Sequence, residues 1–245
     1  MPPHALDTLR QRAKIRTRLG TQLAKRGDRV HCACCGCTSL RFLPAGDPPR
    51  PTARCPHCGA LERHRALWPY LSELIDAGDR VLHFAPEPVI ARNLSALSVD
   101  YVPADLDPQA AHLARIVVQA ADITRQPWAD NHFDIAIVSH VLEHIDDDAA
   151  ALRELYRVLK PGGTAVIQVP NDPTRDVTYE NPTIVSEADR RLHFGQSDHV
   201  RVYGRDLTLR VQEAGFRLEV LRPLDDPGSW IFQATKPSSL SPAVP

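Results

Sequence analysis

All six cysteines of this 245-residue chain fall between Cys32 and Cys58. Cys32-Ala-Cys-Cys35-Gly and Cys55-Pro-His-Cys58-Gly each read Cys-x-x-Cys-Gly. Two such turns supply four thiolates, and the glycine after each lets the backbone turn sharply so that its amides face sulfur. That donor set suits tetrahedral Zn2+ with every position filled, at about 2.3 Å per bond, and a closed site of this kind is structural rather than catalytic. Cys34 and Cys37 share the same spacing, but the glycine rule favours Cys32, Cys35, Cys55 and Cys58 and leaves the other two as spare thiols. His31 and His57 stand close enough in sequence to substitute, although four cysteines make them unnecessary.

A second set of residues suits proton transfer and anion binding. His140, Glu143 and His144 follow a short apolar run. His193, His199 and Arg201 lie in the segment Asn171 to Val202 beside Phe194 and Tyr203. His199 is the preferred base, because histidine titrates near neutrality. The planar fork of Arg201 suits an anionic acceptor. The structural alternative is that Asp198, His199 and Arg201 simply tie the segment down. Arg63, His64 and Arg65 directly follow the second cysteine turn; they either reach over a ligand opening or cap the metal module.

The elements that must position these groups are legible as alternation. Apolar runs predict strands at 80–84, 100–104, 115–119, 133–139, 163–169, 216–222 and 229–235. Helical spacing predicts helices near 61–77, 87–97, 108–113, 146–159 and 204–214. The runs at 135–138 and 164–169 are apolar rather than alternating, Thr164 and Gln168 apart, as in strands buried on both faces of a parallel sheet. The expected fold is α/β: a doubly wound, mostly parallel seven-stranded sheet with a small N-terminal zinc ribbon-like module. Its last two strands should pair antiparallel at one edge. The organisation reads as a basic helical segment (1–29), the cysteine module (30–60), a linking helix (61–79), the alternating domain (80–236) and a Pro/Ser-rich tail (237–245). The insertion 171–202 is long for a plain connection and suggests a lid. In open α/β sheets ligands bind at the carboxyl ends of the strands, here around Ser139 to His144 and just after Val169.

The alternating domain resembles the class I S-adenosylmethionine-dependent methyltransferases, on four motifs in order. These are Tyr-Val-Pro-Ala-Asp105-Leu-Asp, Asp122-Ile123, Phe133-Asp134 with Val141-Leu-Glu-His144-Ile145, and Lys160-Pro-Gly-Gly163. The resemblance implies a donor site built from His83, Ala85 and Glu87, Asp105 and Leu106, Asp122 and Ile123, and Ser139 and His140. Asp105 would face the ribose hydroxyls and Asp122-Ile123 the adenine. The first loop departs from the family. Ala85, Glu87 and Val89 stand where glycines are usual, and His83 stands where an acid is usual. Glu87 could compensate by accepting a hydrogen bond from the amino group of the methyl donor. His144 joins His199 and Arg201 as a catalytic candidate. The cysteine module combined with this domain is similar to a bacterial group of zinc-containing methyltransferases.

The expected function is methyl transfer from S-adenosylmethionine to the oxygen or nitrogen of a small molecule, with zinc structural. Residues 1–70 carry 13 Lys/Arg against 4 Asp/Glu, which raises an RNA methyltransferase as an alternative. Zinc-bound thiolates would cancel part of that charge, and there is no aromatic-rich platform for bases. The altered first loop raises a third possibility, a non-catalytic interaction protein on the same scaffold. No apolar run is long enough to span a membrane and no export pattern opens the chain, so a cytoplasmic location is expected. The sequence does not fix an oligomeric state.

Overall fold

The computed structural model of the protein describes residues 29–46, 48–109, 113, 116–222 and 229–238. Residues 1–28 of the expected basic helical segment and the tail beyond 238 lie outside the described residues, as do residues 110–112 of the expected helix at 108–113. Among the described residues no helix is long and apolar enough to cross a membrane.

The cysteine segment forms two small antiparallel pairs, β1 (Val30–His31) with β2 (Thr38–Ser39) and β3 (Leu43–Ala45) with β4 (Arg50–Arg54). Helix α1 (Glu62–Leu74) follows and leads into the sheet.

The sheet strands are β5 (Arg80–Phe84), β6 (Asp100–Asp105), β7 (Gln119–Ala120), β8 (Phe133–Ser139), β9 (Leu159–Pro170), β12 (Arg217–Leu221) and β13 (Ser229–Thr235). Their order is β12-β13-β9-β8-β5-β6-β7, so the chain winds outward both ways from β5 and β8. All pairs from β9 to β7 are parallel, while β13 lies antiparallel to both β9 and β12. This is the doubly wound, mostly parallel seven-stranded sheet expected from the sequence.

Helices α2 (Pro88–Ser95), α3 (Asp148–Val158) and α5 (Leu207–Glu213) complete the two outer layers. Strand alternation sorts the core. Val81, Ile135, Ile137 and Val166 pack with Leu67 and Leu71 of α1 and with Ile90 and Leu94 of α2. Leu82, Phe84, Val138 and Ile167 pack with Leu152 and Leu155 of α3 and with Leu207 and Val211 of α5. Successive strand residues point to opposite faces, so both faces must be apolar and are.

Two expectations need correction. Among the described residues of the strand expected at 115–119, only Gln119 is in a strand, β7, which pairs through Gln119 and Ala120 with Ala104 and Asp105. Helix α3 ends at Val158 rather than 159, and Lys160-Pro-Gly-Gly163 belongs to extended β9 instead of forming a separate turn. The motif still needs its glycines. Gly162 has φ +84°, and a Cβ on Gly163 would come within 2.9 Å of the carbonyl oxygens of Asp134 and Lys160. Lys160 reaches back to both carboxylate oxygens of Asp134 at 2.9 and 2.8 Å, so the two motifs that bracket α3 are joined. The insertion carries secondary structure of its own. It contains β10 (Tyr179–Glu180), α4 (Glu187–Phe194) and β11 (Arg201–Val202), with β10 and β11 paired antiparallel.

Candidate functional site

The two cysteine turns are built alike. The amide of Gly36 donates to the carbonyl of Cys32 and that of Gly59 to Cys55, at 2.8 and 3.0 Å. The amides of Cys32 and Cys55 in turn donate to the carbonyls of Cys37 and Ala60. Gly36 and Gly59 take φ of +71° and +78°, the left-handed region that glycine enters without a steric penalty. The turns bring Cys32, Cys35, Cys55 and Cys58 together, with all four sulfurs within 4.8 Å of one another. Cys32 and Cys58 sulfurs are 3.6 Å apart, and Cys35 and Cys55 sulfurs 3.9 Å. A tetrahedron with bonds of about 2.3 Å has edges of about 3.8 Å. The donor set therefore fits zinc in both chemistry and spacing. Cys34 instead donates from sulfur to the carbonyl of His64 at 3.2 Å.

The loop that follows β5 carries the departure from glycine. Ala85 has φ +46° and so keeps the backbone form a glycine would take. Pro88 occupies the first turn of α2, and Glu87 is its N-cap. The carboxylate of Glu87 is 12% exposed. Its Oε1 accepts from Arg63 Nε and His64 Nε2, both at 2.9 Å. Its Oε2 is buried with no hydrogen-bond partner. Burial alone would raise this carboxyl; the hydrogen bond from His64, then the charge and hydrogen bond of Arg63, override it and hold it well below the usual carboxylate range. His83 requires correction as a ligand contact. It is 0% exposed, on the α1/α2 face of the sheet, with Nδ1 3.0 Å from the Tyr101 hydroxyl. Ser139 is also buried and donates to Gln168 Oε1 at 3.1 Å, which makes it part of the sheet's interior wiring.

Asp105 ends β6 and its Oδ1 accepts from the amide of Asp107 at 2.9 Å. Leu106, 74% exposed, stands beside it at the strand's end. Asp122 Oδ1 accepts from both the amide and the hydroxyl of Thr124, which shapes its turn, and Ile123 beside it is buried.

At the carboxyl end of β8, His140 takes φ +54°. Its Nδ1 lies 3.2 Å from Glu143 Oε1. Glu143 is 1% exposed and neither carboxylate oxygen has a hydrogen-bond partner. The insertion closes over this turn, with the amide of Val200 donating to the Glu143 carbonyl at 2.9 Å. Glu143, His144 and His199 offer ligand atoms within 4.8 Å of one another, and the rings of His144 and His199 meet edge to face. His144 Nδ1 also approaches Asp198 at 3.3 Å. His199 Nδ1 is 3.3 Å from the carbonyl of Phe194. A carbonyl only accepts, so Nδ1 carries the proton and Nε2 keeps its lone pair. Burial lowers the His199 pKa, which favours that neutral form.

Arg201 does not stand free for an anionic acceptor. It is 4% exposed, and its donors go to the carbonyls of Leu142, Ile145 and Asp146 and to Glu180. It anchors the insertion. Arg63 and His64 reach Glu87 in the loop after β5, whereas Arg65 caps the cysteine module by donating to the carbonyls of Ala53 and Ala60. Gln168, which links Ser139 to the Arg63 carbonyl, gives no signal in sequence because it reads as one polar residue in an apolar strand.

The buried imidazoles set a pH dependence. Burial pushes His83 down to about 4. The unfolded state, with a pKa of about 6.5, takes the proton first, so stability is lost as pH falls from about 6.5 to about 4. The expected loss from this group is about 3 kcal/mol. Glu87 acts in a separate window, since its contribution is full above about pH 4.5 and is lost only below it. Urea midpoints measured from pH 7 to 4 should fall for the wild type and much less for His83→Gln; parallel curves would remove His83 as the cause.

The family described as Methyltransferase domain matches residues 82–167. An uncharacterized protein, YafE of Escherichia coli, is 35% identical over 176 residues, covering 63% of this chain and 76% of its own length. The 2-phytyl-1,4-naphtoquinone methyltransferase of Synechococcus elongatus is 33% identical over 144 residues, 59% of this chain, and this chain spans only 46% of it. Among solved structures, YcgJ of Bacillus subtilis superimposes with a TM-score of 0.54 at 16% identity, covering 72% of this chain and 100% of its own. The 1,6-didemethyltoxoflavin-N1-methyltransferase of Burkholderia thailandensis, solved with S-adenosylhomocysteine bound, gives 0.53 at 17% identity, covering 72% and 78%. The sheet order, the matched residues and the extent of the YafE likeness agree: this chain belongs to the methyltransferase-domain family and is a class I S-adenosylmethionine-dependent methyltransferase.

Proposed function

We propose that the protein methylates an oxygen or nitrogen of a small molecule, and that its four-cysteine module holds a structural zinc ion. The observation that carries the donor site is Glu87. A buried carboxylate with one oxygen fixed by two donors and the other left without a partner is costly unless a ligand supplies the missing donor. An ammonium group is such a donor, and the left-handed Ala85 keeps the backbone clear beside it. Asp105, with Leu106 beside it, would hold vicinal hydroxyls, and the Asp122–Ile123 turn the adenine. S-adenosylmethionine, when bound, supplies an electrophilic methyl group on a sulfonium sulfur.

The chain's own residues then have two tasks. The insertion, pinned by Arg201 and by the Val200–Glu143 bond, excludes water from the strand ends. His199 Nε2 takes the acceptor's proton, with Glu143 close by to stabilise the imidazolium that forms. His140 and His144 line the same turn. A carbon acceptor is a second reading, favoured by the quinone methyltransferases among the relatives. The same base would ionise the ring hydroxyl that activates such a carbon. A thiolate metal site of this kind suits a cytoplasmic setting, where cysteines stay reduced.

Calorimetric titration with S-adenosylhomocysteine tests the donor site. The wild type should bind one equivalent, and Glu87→Gln should bind at least tenfold more weakly, about 1.4 kcal/mol. Undiminished binding by Glu87→Gln removes the carboxylate from the site, and no binding by the wild type removes the proposal.

A further inference from the structure

We infer that metal occupancy of the four-cysteine site controls affinity at the methyl-donor site, with His64 and Arg63 as the positioning residues that connect them. The inference rests on the reading above that the Glu87 loop holds the donor.

The connection runs through short, buried steps. Cys34 lies between the ligand positions Cys32 and Cys35. Its sulfur donates to the His64 carbonyl at 3.2 Å, and its own carbonyl accepts from Asn93 of α2 at 2.9 Å. The second turn is held by Arg65, which donates to Ala53 and Ala60 and lies 3.8 Å above the Phe42 ring. Val89, in the first turn of α2, packs against Cys32, Cys34, Cys55 and Ala60. The cysteine turns thus touch both α1, which bears the donors to Glu87, and α2, which Glu87 caps.

His64 is oriented for one task. Its Nδ1 accepts from the Leu61 amide at 3.1 Å, so Nε2 carries the proton and donates to Glu87 Oε1. Arg63 supplies the second donor to the same oxygen. Both belong to the first turn of α1, a few residues after Cys58. With Oε1 doubly fixed, the unpartnered Oε2 has one direction left. If the four sulfurs lose their common ion, the turns that hold the start of α1 are no longer cross-linked. Glu87 then loses two positioned donors, and its free oxygen loses its aim.

Such coupling is reciprocal by linkage: the factor by which zinc tightens donor binding must equal the factor by which donor tightens zinc binding. Two measurements on the zinc-loaded protein test it, so that a metal-free form that fails to fold does not decide the matter. The first is zinc competition against a chromophoric chelator, with and without saturating S-adenosylhomocysteine. The second is calorimetry with S-adenosylhomocysteine on the wild type, on His64→Ala and on Arg63→Ala, each checked for one zinc per chain. Zinc affinity should rise at least tenfold with S-adenosylhomocysteine in the wild type. His64→Ala should keep its zinc, bind S-adenosylhomocysteine about tenfold more weakly and lose most of the coupling. Unchanged zinc affinity, together with wild-type binding by both variants, overturns the inference and leaves the donor site standing. If the zinc-loaded wild type binds no S-adenosylhomocysteine, the donor-site reading fails and the coupling fails with it.

Discussion

Cys55→Ser should empty the metal site: zinc content falls from about one per chain to none, and the segment from β1 to β4 loses its fixed structure. The size of the effect follows from what else holds that segment. Its strands are two to five residues long, and its small core is chiefly Cys32, Cys34, Cys55 and Ala60 against Val89. So little apolar burial cannot offset the ordering of some thirty residues, whereas structural zinc contributes on the order of 10 kcal/mol. Cys34→Ser and Cys37→Ser should retain the metal, since neither sulfur belongs to the four-sulfur cluster. Metal analysis of these three variants and of Cys32→Ser, with amide exchange over residues 30–60, checks both points. Loss of zinc from Cys34→Ser with retention in Cys32→Ser would assign the ligands to the other register.

Arg201→Ala should destabilise the fold by about 3–5 kcal/mol, the range for breaking a buried ion pair by removing one partner. The carbonyls of Ile145 and Asp146, between the 3-10 turn Leu142–His144 and α3, would lose this donor, while that of Leu142 would keep the Tyr203 hydroxyl and the Ile145 amide. Asp148 would lose one cation 3.6 Å away while keeping Tyr203 and Arg210. Glu180→Ala should cost far less, because Glu180 is more than a third exposed and its other partner, Arg210, also pairs with Asp148. Urea denaturation of the two variants measures this directly. Wild-type stability in Arg201→Ala would restore this guanidinium as a candidate for binding the acceptor.

Both predictions concern residues whose types are plain in the sequence and whose partners are not. The cysteine pairing is readable because each turn is local, and glycine after the second cysteine marks the left-handed residue. The sheet is readable because strands buried on both faces are apolar rather than alternating, as Ile135–Val138 and Ala165–Ile167 are. β7 is not, since a two-residue strand is chosen by the edge it joins rather than by its own pattern. Arg201 looks like a ligand group because a guanidinium fork fits a carboxylate; three converging carbonyls from a turn some sixty residues earlier also fit it. Glu87 can be picked out as a substitute for glycine, but its dependence on Arg63 and His64 joins segments that only the packing of α1 beside α2 brings together. Glu143 can be placed in its motif, yet nothing in a sequence tells that a carboxylate is buried without a donor.

The sheet order carries a consequence for how the chain is made. β13 inserts between β9 and β12 and supplies the hydrogen bonds along one side of β9 from Thr164 to Pro170. Lys236, just beyond it, donates to the carbonyls of Tyr156 and Leu159, where α3 gives way to β9. Until residue 236 leaves the ribosome, the apolar strand Thr164–Val169 keeps an open edge of unpaired amides and carbonyls. The nascent chain must carry that edge through the synthesis of more than sixty further residues, the interval in which pairing with a neighbouring chain competes with folding. The strands from β8 to β7 have all their sheet partners in the chain up to β9, and the cysteine turns hold the start of α1 without any help from β13. Slowing translation after β9 should therefore leave the Glu87 loop formed while increasing aggregation through β9.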